Sequence, residues 1–290
     1  MDFESVRVFL RVAELSSFTK AAEQLGLSKS RASLRVRALE EQLGSHLFQR
    51  TTRAVRLTPD GEQLLARARR LVSEADDIAA MFQAPSTLRG RVRIELPINI
   101  ACNVVIPRLP EFIAVHPHVD VVVGTSDRRV DVVREGFDCV LRIGSLGDSG
   151  LIARRLGALA MANYVSDLYA RKHGVPKTLA DLDRHFVVHY SQSLSGEPAF
   201  EWAVRGKVEL RPMRALVTVN NTDAYEAACR AGLGIIQAPK WRRRDKLVEI
   251  LPEHTCRPMP VSLLHAHGTN VPKRVRAVMT WLEHVLTEVL

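Results

Sequence analysis

Between Lys29 and Arg56 the chain carries seven basic residues, Lys29, Arg31, Arg35, Arg37, Arg50, Arg53 and Arg56, against two acids, Glu40 and Glu41. Ammonium and guanidinium groups at that density suit phosphate oxygens, and Arg and Ser donors can also reach base edges in a major groove. A charge run is ordinarily just a solvated helix face. This one is set apart by the elements around it. The first cluster, Lys29, Ser30, Arg31, Ser33, Leu34, Arg35 and Arg37, reads as the outward face of a helix whose inward face is apolar.

That inward face is Ala32, Val36, Leu39 and Leu43, spaced four, three and four, which is the repeat of an amphipathic helix. A shorter stripe, Ala21, Ala22 and Leu25, precedes it. Gly26 follows the short stripe, where a left-handed backbone ends a helix without strain, and Ser28 stands where a hydroxyl caps the next one. Two helices joined by a tight turn, with small residues letting them approach, form a helix-turn-helix whose second helix is the reading head. From Leu47 to Thr58, apolar Leu47, Val55 and Leu57 mix with Arg50, Arg53 and Arg56, the texture of a two-stranded basic wing. The candidate DNA contacts are therefore Thr19 on the first helix, Ser28, Lys29, Ser30, Arg31, Ser33, Leu34, Arg35 and Arg37 at the reading head, and Arg50, Arg53 and Arg56 on the wing.

Thr58-Pro59 reads as a cap followed by proline at the first helical position, with Asp60 and Glu62 favouring the positive end of the helix. Leu64, Ala68, Leu71, Ala75, Ile78 and Phe82 then recur at four-three-four-three-four spacing, the seam of a short coiled coil that stops near Ala84-Pro85-Ser86. One amphipathic helix lying on its own domain would read similarly. Dimerisation is the favoured expectation, because a two-fold dimer doubles the DNA site.

The formal net charge of +9 over 290 residues fits a polyanionic partner. The length allows a small DNA-binding domain and a larger domain with its own core. No segment reads as a membrane span, and the opening MDFESVRVFL has acids where a secretory signal carries positive charge. A cytoplasmic, nucleoid-associated protein with no membrane partner is expected. Cys102, Cys139, Cys229 and Cys256 are widely separated with no CxxC pair, against both a zinc ribbon and a disulfide framework.

Other chemistries find little support. His265 and His267 would project to one side of a strand, but no cysteine or carboxylate at ligand spacing accompanies them, so they read as structural. His185 and His189 flank a strand-like Phe-Val-Val that holds them about 13 Å apart. His116-Pro-His118 reads as a turn. Gly144, Gly147 and Gly150 precede a strand rather than a helix with free amides, so no phosphate loop forms there. Cys102 near a helix start could be an activated thiol, although a buried or inert one is the better reading. No nucleophile, metalloprotease, phosphate-loop or paired-carboxylate signature is present, and neither catalysis, metal nor cofactor is expected.

After Arg89-Gly90 strands alternate with helices: Val92 to Leu96, Val119 to Gly124 and Cys139 to Ile143 as strands, Val104 to His116 and Arg128 to Glu135 as helices. The alternation continues from about Asn163 to His265, including a helix at Asp223 to Ala231 and a strand at Gly234 to Gln237. A final helix, Pro272 to Val289, returns to the first subdomain. Such βα alternation implies a largely parallel sheet covered by helices.

The stretches FLRVAELSSFTKAAEQLGLS, RALEEQLGSHLFQR and VRLTPDGEQLL closely resemble the LysR-type transcriptional regulators, and the resemblance extends along the whole chain. It departs from that family at Lys29 and Arg31, where Gln and Ala are common, and at Leu34, often polar there, so an operator sequence does not transfer. The stretch KWRRRDKLVEIL, Lys240 to Leu251, is shorter and more basic than the usual connection, with Arg242 to Arg244 read as a solvated loop.

The resemblance implies an α/β chain with an N-terminal all-α winged helix-turn-helix over residues 1–58 and a linker helix over 59–89 as dimer contact. It also implies a two-lobed, periplasmic-binding-protein-like effector domain over 90–290. Lobe I would span about 90–162 and 267–290, and lobe II about 163–266. Ligands of open α/β sheets sit beyond the carboxyl ends of strands and near helix starts. The candidate effector contacts are therefore Ile98, Asn99, Thr125, Ser126, Arg142, Ile143, Asn221, Thr222 and Gln237. Asn221, Thr222, Thr125 and Ser126 equally suit helix caps, and Arg142 either a structural acid or an anionic effector.

The expected function is a regulator that binds an interrupted inverted repeat in double-stranded DNA as a homodimer or homotetramer and answers a small-molecule effector. Effector closure would change the angle of the linker helices, half-site spacing, DNA bend and contact with RNA polymerase. An architectural DNA binder with a vestigial cleft is the second class, and a DNA-tethered enzyme a distant third.

Overall fold

The computed structural model describes residues 2–50, 55–81, 88–147, 150–240, 246–268 and 271–290, with the backbone alone for 50, 76, 77 and 79–81. It forms two compact units, residues 1–90 with 131–137, and residues 91–130 with 138–290.

The first unit begins with α1 (Phe3–Leu15), whose start Asp2 caps by accepting from the Glu4 and Ser5 amides. α2 (Phe18–Gln24) and α3 (Lys29–Leu43) follow. Ser28 Oγ accepts from the Arg31 amide at 3.2 Å, and Gly26 takes φ +65°, the left-handed turn expected between them. β1 (Phe48–Arg50) pairs antiparallel with β2 (Val55–Leu57), and α4 (Pro59–Met81) leaves the wing. Phe48 meets Phe9 at 5.4 Å and Phe18 at 5.6 Å between ring centroids, closing one core from three elements. Burial of each ring contributes about 1.5–3 kcal/mol. Ala32, Val36 and Leu39 join that core, whereas Leu43, expected to complete the stripe, is exposed at the last turn.

Glu40 stitches α3 to the wing by accepting from the Leu47 amide at 2.8 Å and the Phe48 amide at 3.2 Å. Thr58 Oγ1 donates to the His46 carbonyl at 2.6 Å and accepts from the Gly61 amide at 3.0 Å, so one hydroxyl closes the wing and caps α4.

The second unit has two lobes. In lobe I, β3 (Gly90–Leu96) leads into a helix spanning Ile98–Val115, built from α5 (Ile98–Ile100), a π-turn Ala101–Val105 and α6 (Ile106–Val115). β4 (Val119–Thr125) and β5 (Cys139–Ile143) follow, with a short helix α7 (Val132–Glu135) between them that belongs to the first unit. β6 (Ile152–Leu159) is the last strand before the chain crosses to lobe II.

Lobe II holds β7 (Met161–Ser166), α8 (Asp167–His173), a 3-10 turn (Leu179–Arg184), β8 (Phe186–Tyr190), β9 (Ala199–Val204), β10 (Lys207–Pro212) and β11 (Arg214–Val219). It ends with α9 (Thr222–Arg230), β12 (Ile236–Pro239) and β13 (Leu247–Ile250). β14 (Met259–His265) and α10 (Lys273–Thr287) complete the chain.

Several expectations change here. The lobe I sheet has the order β4-β3-β5-β14-β6, so β14 lies in lobe I although the sequence boundary at 266 put it in lobe II. The sheets are mixed rather than largely parallel: β3 and β5 run parallel, but β14 runs antiparallel to β5 and β6, and β12 and β13 run antiparallel to β7. β14 arrives by crossing from the other lobe, without the helical crossover that a parallel neighbour requires. The expected helix from Arg128 shortens to Val132–Glu135, because Asp131 caps it by accepting from the Val133 and Arg134 amides.

Ile98–Val115 is, contrary to the expectation, long and apolar enough to cross a bilayer by length and composition. It carries Arg108, paired with Glu111 at 3.0 Å and Glu288 at 2.7 Å, and it buries Ile100, Ala101, Val104, Val105 and Phe112 in the lobe.

Candidate nucleic-acid interface and effector cleft

Lys29, Ser30, Arg31, Leu34 and Arg37 are exposed on the face of α3 turned away from Ala32, Val36 and Leu39, and Thr19 and Ser28 are exposed nearby in the chain. Leu34 is 62% exposed, a large apolar side chain held in water with no fold-level reason to be there. Such a residue can meet a thymine methyl. Ser28 Oγ is occupied as the cap and lies 3.0 Å from Ser30 Oγ. Ser33 is half-buried. Arg35 differs from its neighbours: its Nη1 donates to Asp2 Oδ2 at 2.7 Å, tying α3 to the start of α1. The Asp2 carboxyl is held below the usual carboxylate range, first by the Ser5 hydroxyl, then by the Glu4 and Ser5 amides, with Arg35 a smaller contribution. Arg56 is exposed on β2. Arg53 and the Arg50 side chain lie outside the described residues.

The six seam positions of α4 divide. Ala68 is 2% exposed and, with partly buried Leu64, packs into the winged-helix core, whereas Leu71 is 40% and Ile78 55% exposed and Ala75 half-buried. Phe82 lies outside the described residues. The heptad is thus not one seam: its first two positions serve their own domain. Residues 241–245, which include Arg242 to Arg244, also lie outside the described residues.

In the second unit the candidate effector residues do not converge as one set. Gln237 is spent inside lobe II: its Nε2 donates to Asn163 Oδ1 at 2.8 Å and to the Glu201 carbonyl at 2.7 Å, and its Oε1 accepts from the Glu201 amide at 2.9 Å. These bonds hold the Gln237 side chain to its own lobe. Asn163 completes that network by donating to the His254 carbonyl at 2.8 Å and the Leu251 carbonyl at 3.1 Å. Ser126 donates to buried Glu95 at 2.6 Å. Asn221 caps α9 by accepting from the Ala224 amide at 2.8 Å.

Ile98 and Thr222 remain together. Both present backbone amides at helix starts, and both amides donate to one carboxylate, Asp127, which follows Ser126 in the chain: Ile98 at 3.2 Å to Oδ1, and Thr222 to Oδ2. The Gln192 side-chain amide donates to the Asp127 carbonyl. Asp127 and Gln192, which sequence reasoning passed over, thus join segments from the two lobes. Burial raises the Tyr190 hydroxyl above its ordinary pKa, and the Asp127 charge adds to that shift. Asn99 lies half-buried behind Ile98, its carbonyl accepting from Asn103 at 2.8 Å, while Thr125 is exposed and Ile143 half-buried.

Arg142 is half-buried and donates to the Arg128 carbonyl at 3.3 Å. Its pKa is lowered by burial and by repulsion from Arg129, with Glu95 opposing. Positive charge therefore gathers next to Asp127 in the chain.

His265 and His267 stack at 6.1 Å between centroids, and no group of histidine, cysteine and carboxylate residues able to hold a metal occurs among the described residues. Cys102 is exposed in the π-turn, so of the expected buried or inert thiol only the burial is overturned, whereas Cys139 and Cys229 are buried.

Comparison with known proteins bears on both units. Residues 3–62 match the family of bacterial regulatory helix-turn-helix proteins, lysR family, and residues 85–287 match the LysR substrate binding domain. The chain is 39% identical over 293 residues to the uncharacterized HTH-type transcriptional regulator YhjC of Escherichia coli (strain K12), covering 99% of this chain and 98% of that one. It is 32% identical over 290 residues to the HTH-type transcriptional activator AaeR of the same strain, covering 97% and 93%. Among solved structures it resembles CrgA, a LysR-type transcriptional regulator from Neisseria meningitidis, at 26% identity and a TM-score of 0.60, covering 98% of each chain.

Proposed function

Because the chain belongs to the LysR-type transcriptional regulators, DNA-binding proteins rather than enzymes, we propose that it reads an interrupted inverted repeat as a homodimer or homotetramer and answers a small-molecule effector held between its two lobes. The observation that carries this reading is the exposed face of α3. Lys29, Ser30, Arg31, Leu34 and Arg37 stand free of the core that holds the helix in place, so the fold spends them on something outside itself. Side chains of that chemistry on the second helix of a helix-turn-helix enter a major groove, while Arg56 on the wing lies where a backbone contact is made.

Arg31 and Arg37 are assigned to bases or phosphates, Lys29 and Arg56 to phosphates, and Leu34 to a thymine methyl. The exposed stretch of α4 around Leu71 and Ile78 is assigned to the dimer contact, and the lobe surfaces around Ile98, Asp127 and Thr222 to the effector. Such a regulator works in the cytoplasm on the nucleoid, and effector binding changes the DNA bend and the contact with RNA polymerase only if the effector favours one arrangement energetically.

The test is binding of the purified protein to the DNA upstream of its own gene and to a scrambled duplex of equal length, across a salt series. Preference for the upstream DNA that persists as salt rises supports the reading. Equal binding to both, lost together with salt, rejects sequence-specific recognition of that site.

A further inference from the structure

One acid of the chain is bonded to both lobes. Asp127 comes from lobe I, immediately after β4, yet its carboxylate accepts from the amide of Thr222 at the start of α9 in lobe II as well as from the amide of Ile98 in its own lobe. Gln192, also of lobe II, donates to the carbonyl of the same residue.

Amides at a helix start have no partner inside the helix, and the aligned peptide dipoles favour negative charge there. Two such amides directed at one carboxylate make an anion cradle of the kind that binds free carboxylates and phosphates. The Thr222 hydroxyl oxygen is buried and makes no hydrogen bond among the described residues, leaving a further donor beside the cradle. Arg142 donates to the carbonyl of Arg128, the residue next to Asp127, which brings a guanidinium to this segment.

We propose that Asp127 is a tethered carboxylate ligand: it fills the anion subsite of the cleft and pins lobe I to lobe II when no effector is present. An effector bearing a carboxylate then binds by displacing Asp127 and taking over the Ile98 and Thr222 amides. The last step rests on the reading of this cleft as the effector site; the occupied cradle does not.

The test is chemical rescue of the full-length protein, followed by thermal unfolding with acetate as the probe and chloride at equal ionic strength as the control. Asp127→Ala empties the cradle, so the variant melts below the wild type and acetate restores it saturably by roughly 2–4 °C. Chloride does not do so, and acetate leaves the wild type unchanged. Asp127→Asn keeps the shape and occupies the cradle with a neutral amide, so it melts lower without an acetate response.

Thr222→Pro provides an independent route if the alanine variant does not fold. Thr222 is the first residue of α9, where proline is well tolerated and removes only the amide hydrogen. Its cost and that of Asp127→Asn are expected to overlap rather than add. Equal acetate responses in wild type and Asp127→Ala, no response in either, or fully additive costs would overturn the tethered ligand. Acetate rescue in Asp127→Ala with DNA affinity and footprint unchanged throughout would uphold it and reject the cleft as the effector site.

Discussion

Arg35 Nη1 lies 2.7 Å from Asp2 Oδ2, so a guanidinium on the reading face of α3 is already engaged by the residue that caps α1. The two side chains are 40% and 51% exposed, and the pair is a positioning contact on the surface rather than a source of much stability. Its significance is electrostatic: it neutralises one of the cations that the sequence assigns to DNA.

Asp2→Asn is therefore expected to keep the cap, since Asn is as good at that position, while releasing Arg35 to phosphate. Affinity for any duplex should rise, and the salt slope should steepen by about 0.9. A salt series on wild type and variant measures this; an unchanged slope means that Arg35 stays off the DNA backbone even when free.

Arg31 has no such tether among the bonds of α3 and is exposed. Arg31→Ala is expected to cost roughly 1–3 kcal/mol of binding and to relax preference at one base pair. Arg56→Ala, on the wing, should weaken binding to all sequences alike. Binding to a set of single-base operator variants separates the two, and a loss confined to one base pair on Arg56→Ala would contradict a backbone role for the wing.

The winged helix-turn-helix was legible because its signals are local: Ser28 three residues before the amide it caps, Gly26 at the left-handed turn, and apolar residues every three or four positions. The bonds that join the lobes were less legible because their partners are remote in sequence. Asp127 meets the Thr222 amide across 95 positions, and a backbone amide leaves no signature in residue type. Gln237 stood at a plausible strand end, but its side chain is claimed by Asn163, 74 positions away, and by Glu201, 36 away. Strand direction failed likewise, since alternation of β and α does not reveal that β14 crosses back into lobe I.

Gly61 leaves no trace in hydrophobic spacing, yet it has no room for a side chain. A Cβ there would lie 2.1 Å from the Leu47 carbonyl oxygen and 2.9 Å from Leu57 Cδ2, where α4 leaves the wing. Gly61→Ala is expected to destabilise the winged domain by about 1–3 kcal/mol, the range for forcing an extra methyl into a packed site. Urea unfolding followed by helical circular dichroism checks it. A variant as stable as wild type would show that the wing shifts away at little cost.

The second unit carries its own pH dependence. The Phe186 amide donates to the Tyr169 hydroxyl at 2.9 Å, and that hydroxyl shares a hydrogen bond with His185 Nδ1 at 3.0 Å. Burial, with the nearby His173 second, lowers the His185 pKa below its ordinary value of 6.5 and so favours the neutral imidazole. The unfolded chain binds the proton more readily, so stability is full above pH about 6.5 and is lost as pH falls below that value. His185→Gln is expected to remove part of the difference between thermal unfolding at about pH 7.5 and about pH 5.5. Equal pH dependence in both proteins would exclude His185 as its source.

The divided heptad of α4 separates folding from assembly by one helical turn. Ala68 is buried in the core closed by Phe9, Phe18 and Phe48, so Ala68→Asp strands a charge among rings and is expected to unfold the winged domain. Leu71 is 40% exposed, so Leu71→Asp places its charge in water in the isolated chain and costs the fold little. If Leu71 and Ile78 meet a second copy, that same charge is buried against apolar side chains on assembly, and light scattering should show the mass fall toward that of one chain while helical content holds. A mass unchanged by both Leu71→Asp and Ile78→Asp, with the fold intact, would move the dimer contact off this face of α4.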